Sequence, residues 1–242
     1  DVLYFSRNIP RNGSLIHGLV SNAINALALE AMAPDLPNLD ADTLEEVFQA
    51  LGKLEAGQEP LSAVLQREQA HAIRIIEYGL ESRGHLAYVC KYFFNSAKPD
   101  KYKTPAANLR WIYAYWNKNR IKKNINHWYE KAIQIADEPL KEYDAYREIE
   151  KEYKKDCITK RISLPLYDIQ IRYARGTAHF RGARLRAAVE LYQRRSQRLP
   201  DCLQDLIDAG ILDQIPIDPF SNQPFQYLDN KIQSMGSGMP LW

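Results

Sequence analysis

Between positions 15 and 31 the apolar side chains Leu15, Leu19, Val20, Ala23, Ile24, Leu27, Ala28 and Ala31 recur three or four residues apart. That period belongs to an α-helix and excludes the strict alternation of a strand. Ser14 stands where an N-cap is needed and Pro34 closes the segment, which predicts a helix of about five turns. The same logic carries forward. Asp42, with Glu45 three positions on, predicts a capping box for the next helix. Pro60 suits the first turn of a third, since its missing N–H has no intrahelical partner there anyway. Leu61, Val64, Leu65, Ala72, Ile75, Ile76 and Leu80 supply that helix with an apolar face.

In the stretch 84–105 Val89, Tyr92 and Phe93 fit a helix, which is the reading preferred, and the density of Tyr and Phe also fits a strand. Residues 105–136 are predicted helical with a break near 122–126, and 143–153 form a charged helix. Leu164-Pro165 opens a long helix reaching about Gln197. Gly176 and Gly182 inside it each cost about 1 kcal/mol relative to Ala and permit close packing. Leu199-Pro200 stops it. A short helix over 201–209 follows, with Gly210 as its C′ residue. The segments "PFQYL" and "KIQSM" alternate around Asp229-Asn230, which predicts a β-hairpin. The fold class is mainly α: a multi-helix domain over 1–163, then a long helix and a small α+β cap over 164–242.

The 242 residues carry a net charge of +2, which implies no global polyelectrolyte partner. The balance conceals a pattern, because residues 98–131 carry net +7 and residues 199–242 net −5. Attraction within one fold explains this, and so does an anionic ligand. Cys90, Cys157 and Cys202 are too few for a disulfide framework or a zinc site, and leave one bridge with one spare thiol open. The uncharged run 12–29 has the length of a membrane span. It also contains Asn12, Ser14, His17, Ser21, Asn22 and Asn25, which argues for a soluble helix. The chain opens on Asp1 rather than Met, as a processed or truncated piece would, so an upstream anchor or signal is compatible with it.

The C-terminal residues Leu191, Tyr192, Leu199, Pro200, Leu203, Leu206, Pro216, Asp218, Pro219, Phe220, Pro224, Phe225, Tyr227, Ser234 and Gly236 stand in a distinctive order. Over about 178–238 the chain resembles the C-terminal module of the type II secretion major pseudopilins, the G-like kind. The resemblance implies an amphipathic helix, a short Leu-rich helix, an Asp-Pro-aromatic loop and a short strand. The whole chain looks like uncharacterised secreted or membrane-anchored bacterial proteins ending in that module. It departs from the pseudopilins in two ways: other helices precede the module, and "GSGMPLW" lacks their calcium-holding carboxylates. Neither pilus assembly nor calcium is therefore implied. From the residues alone, Asp218-Pro219 fixes a turn and Phe220 anchors it. Leu199, Pro200, Asp218, Pro219, Phe220, Tyr227 and Gly236 read as scaffold.

Glu68 and His71 stand three apart on a helix, the spacing of a di-iron motif, and Glu81 with His85 could add ligands. The further copies such a site needs are missing, so a surface pair is expected and no cofactor is assigned. Asn38, Asp40 and Asp42 alternate like a calcium loop but lack its Gly and Glu, which leaves capping. No zinc-protease, phosphate-loop, dinucleotide or nucleophile-elbow motif occurs.

The best binding candidate is the basic aromatic stretch 98–131. Lys101, Lys103, Arg110, Lys118, Arg120, Lys122 and Lys123 can neutralise anions, and Trp111, Tyr115 or Trp128 can stack. Leu109, Ile112 and Trp116 are expected in the core. Arg172, Arg175, Arg181, Arg184 and Arg186 are expected to pair with acidic segments. The sequence thus predicts a non-enzymatic, extracytoplasmic structural or interaction protein, linked to a secretion or envelope assembly, with an unidentified protein partner, no nucleic acid, and membrane contact only through an upstream anchor. The alternatives are a helical metal-dependent or hydrolytic enzyme, and an anion- or polysaccharide-binding module using the basic stretch.

Overall fold

A computed structural model describes residues 1–11, 13–82, 85, 115–140, 146, 151 and 165–234. Among these the chain is mainly α. The helices are α1 (Val2–Asn8), α2 (Leu15–Met32), α3 (Ala41–Ala56), α4 (Leu61–Glu81), α5 (Lys118–Ala136), α6 (Leu166–Ser196) and α7 (Gln204–Asp208), with a 3-10 turn at Leu36–Asn38. Two short strands follow, β1 (Gln226–Leu228) and β2 (Lys231–Gln233).

The chain divides into two compact units. The first holds 1–60, 138–140 and 168–242, and the second 61–137 and 141–167. In the first unit Leu36, Leu44 and Phe48 share a core with Leu185, Val189, Leu206 and Phe225. A second cluster joins Leu29, Leu51 and Leu54 to Phe180 and Ala183. Residues from both ends of the chain thus build one core, a grouping that the expected division into 1–163 and 164–242 does not reveal. Neighbours on several sides bury every residue of α6 from Ala187 to Tyr192, including Glu190, which pairs with Arg186 at 2.5 Å. Gly176 does permit close packing: a Cβ there would lie 3.0 Å from Asn22 Cγ. Gly18 does the same in reverse, its missing Cβ making room for the Tyr173 hydroxyl. The α2–α6 contact is therefore notched from both sides.

The caps explain where elements start. Ser14 and His17 form a capping box at α2. At α3 the expectation of Asp42 as cap is corrected: Asp40 accepts from Thr43 N at 2.8 Å, and the helix begins at Ala41. That backbone bond holds the Asp40 carboxyl below the usual range. The final short helix covers 204–208, not 201–209. Asp205 instead folds back to accept from Asp201 N at 2.7 Å, closing a turn ahead of it. Gly210 takes φ +69 as the left-handed C′ residue. The hairpin forms as predicted, with Leu228 opposite Lys231. Asp229 and Asn230 both adopt positive φ, as a two-residue turn of the primed type requires.

Of the arginine set, Arg181 Nε donates to Glu55 at 2.8 Å and its Nη1 to the Ile217 carbonyl at 2.6 Å. One side chain thereby ties α3 and α6 to the loop after α7. Arg184 lies 3.9 Å from the other Glu55 oxygen.

Candidate functional site

In the second unit α4 packs against α5. Along α5 the residues Ile121, Ile125, Trp128, Ala132 and Ala136 are buried. Their spacing of three or four keeps one continuous apolar stripe. The stripe corrects two expectations. There is no break at 122–126, because α5 runs unbroken through it. Nor is Trp128 a stacking platform: it is 1% exposed and meets Tyr129 edge-to-face at 4.7 Å. Burial pushes the Tyr129 hydroxyl pKa well up, and the Glu68 carboxylate adds to the shift. Polar links flank the stripe, with Gln69 donating to Asn126 at 3.0 Å and Lys122 bonded to Glu77. Lys122 is therefore committed to its own fold.

Trp116 supplies the third correction. Expected in the core, it is 83% exposed. It lies five positions before Ile121, out of phase with the stripe, and that offset was the sequence signal for its exposure. Tyr115 beside it is also exposed, and Lys118 Nζ sits 5.0 Å from the Tyr115 ring centroid. Lys118, Arg120 and Lys123 are exposed along the same first turns of α5. The structure thus sets Lys118 against the Tyr115 ring and leaves Trp116, Arg120 and Lys123 exposed within about two turns of it. Such a surface can stack on a planar or ring-shaped group while neutralising attached negative charge. Lys101, Lys103, Arg110 and Trp111, with Leu109 and Ile112, lie outside the described residues.

Glu68 is partly buried on α4 and His71 exposed. Glu81 and His85 pair with each other at 3.1 Å, and His85 stacks on Tyr78 at a centroid distance of 4.1 Å. Among the described residues no three His, Cys, Asp or Glu side chains gather where they could hold a metal ion. Cys202 is an exposed free thiol, while Cys90 and Cys157 lie outside the described residues.

The C-terminal motif is hydrogen-bonded within itself around Asp218. Asp218 is fully buried, and its carboxylate accepts from Phe220 N (3.1 Å), Ser221 Oγ (2.9 Å) and Ser234 Oγ (3.0 Å to each oxygen). Its own carbonyl accepts from Asn222 N at 2.8 Å. Leu199, Phe220 and Tyr227 are partly buried against the first unit's core, and Pro200 is buried. Gly236 lies outside the described residues. No family model, curated protein or solved structure matches the chain.

Proposed function

We propose that this chain is a non-enzymatic interaction protein of the extracytoplasmic cell envelope, and that the start of α5 binds an acidic polysaccharide. The observation that carries the reading is Trp116, 83% exposed beside Tyr115 and within two to seven positions of Lys118, Arg120 and Lys123. An exposed indole loses nothing by being covered and gains contact area against the C–H face of a sugar ring. The adjacent cations then meet the carboxylates of a polyuronate. The C-terminal cap, read as pseudopilin-like, serves in this proposal as structural support within a secretion or envelope assembly.

The test is binding of the chain to alginate, followed by biolayer interferometry at low and high salt. Trp116→Ala should weaken binding by about 10-fold, in line with the loss of one stacking contact. Lys118→Glu with Lys123→Glu should abolish its salt dependence. Alginate binding that all three changes leave untouched refutes the proposal. So does binding of single-stranded DNA through the same residues with no affinity for alginate.

A further inference from the structure

A surface helix ordinarily buries its apolar stripe and shows water its polar face. Helix α2 is built the other way round. Its buried positions are Leu15, Gly18, Ser21, Asn25 and Leu29. Ser21 Oγ donates to the Ser6 carbonyl at 2.8 Å, and Ser6 is hydrogen-bonded to Asn25, so the polar residues fasten α2 to α1. Facing outward are Ile16 (70% exposed), Val20, Ala23 and Leu27 (68% exposed). They are spaced four, three and four apart, the rhythm of a coiled-coil seam. Leu19, Ile24 and Ala26 flank the seam without charge, and only His17 and Glu30 on the whole helix can ionise.

We infer that this seam docks against α2 of a second copy of the chain, in antiparallel orientation. Two alternatives fit less well. Helix α2 is long and apolar enough to cross a membrane, with a mean hydropathy of 1.3. However, its polar side is bonded to α1, and interfacial helices carry Lys and Arg, of which α2 has none. A parallel pair would set the exposed Glu30 of each copy beside the other. In the antiparallel pair Ile16 faces Leu27 of the second copy and Val20 faces its Ala23. Glu30 then lies beside Gly13 and Ser14 of the second copy. The positive end of that helix and the exposed Arg11 both favour a carboxylate there. Neither docking partner needs to refold, and two-fold symmetry closes the contact on itself.

One helix pair buries less than a standard interface, so dimerisation in the micromolar range is expected. Sedimentation velocity of the full chain, from about 1 to 300 µM, should therefore reveal a monomer–dimer equilibrium. Leu27→Glu, at an exposed position that costs no folding, should raise the dimer dissociation constant by about 100-fold, because symmetry uses the change twice. Glu30→Arg should weaken the dimer, and adding Arg11→Glu should restore it, a rescue a parallel pair would not give. A monomer at every concentration overturns the inference, as does a dimer that Leu27→Glu leaves intact. Flotation of a monomeric chain with neutral phosphatidylcholine vesicles, lost in Leu27→Glu, would give the seam to a membrane and also overturn it.

Discussion

Asp218→Ala is the most searching change to make in the first unit. The carboxylate is fully buried and, among the described residues, accepts from the Phe220 backbone N–H and the hydroxyls of Ser221 and Ser234. Ser221 can recover water, but the buried Ser234 hydroxyl and the Phe220 N–H are left without an acceptor. A hydrogen bond to a charged group is worth about 1.5–3 kcal/mol, and an orphaned buried donor costs about 1–3. The removed charge gives back part of its own desolvation. The net loss should therefore be about 3–5 kcal/mol, falling on the loop and hairpin. Asp218→Asn keeps the volume and one acceptor, and both hydroxyls can rotate to accept from the new amide, so it should cost about 1–2 kcal/mol. Ser234→Ala should cost about 1 kcal/mol. Hydrogen exchange across residues 217–234 reads these losses locally, which matters because two compact units need not unfold together. If Asp218→Ala changes protection by less than about 0.5 kcal/mol, the network is not what holds the loop. If Asn proves as costly as Ala, the loop needs the charge itself, and the hydroxyl network is the wrong account.

Two further predictions test other parts of the first unit. Gly18→Ala should destabilise by about 1–3 kcal/mol despite the better helix propensity of Ala, because the new Cβ meets the Tyr173 hydroxyl. Tyr173→Phe in the same background should recover part of that loss in a double-mutant melting series, and purely additive effects would argue against the clash. Burial lowers the His179 pKa from 6.5, with Glu30 opposing and Arg175 assisting. The folded state thus favours the neutral ring. Its contribution is full above the unfolded value and is lost as pH falls through the depressed one. Melting temperature should drop from pH about 7.5 to 5.5, and His179→Gln should shrink that drop; an unchanged drop rejects the assignment.

Wherever the period of apolar residues was clear, the sequence was enough to place the helices. The stripe from Leu61 to Leu80, the stop at Leu199-Pro200 and the Asp229-Asn230 turn are local rules of spacing, stereochemistry and hydrogen bonding. Each acts within a few residues and needs no partner. Asp40 was missed as the cap because three neighbouring candidates alternate, and only the backbone decides which carboxylate reaches an N–H. The surface at the start of α5 was half legible: composition located the cations and aromatics and offered Trp128 to a ligand, but helical spacing with Leu109 and Ile112 placed Trp116 inside. Periodicity says that a face exists, and neighbouring helices decide which face is covered. Here α4 covers the side bearing Trp128.

Helix α2 marks the same division most sharply. Its sequence determined that it would be helical, where it would start, and that it would be apolar. Its polar residues Ser21 and Asn25 argued against a membrane span but did not say which side faces the solvent. Tertiary structure turned them inward, because Ser6 supplies bonding partners and Gly18 and Gly176 let α6 approach closely. A hydrogen bond satisfied across helices removes the cost of burying those groups, and the apolar residues are left facing out. No pattern within 18 residues could specify that, because the deciding atoms lie on α1 and α6.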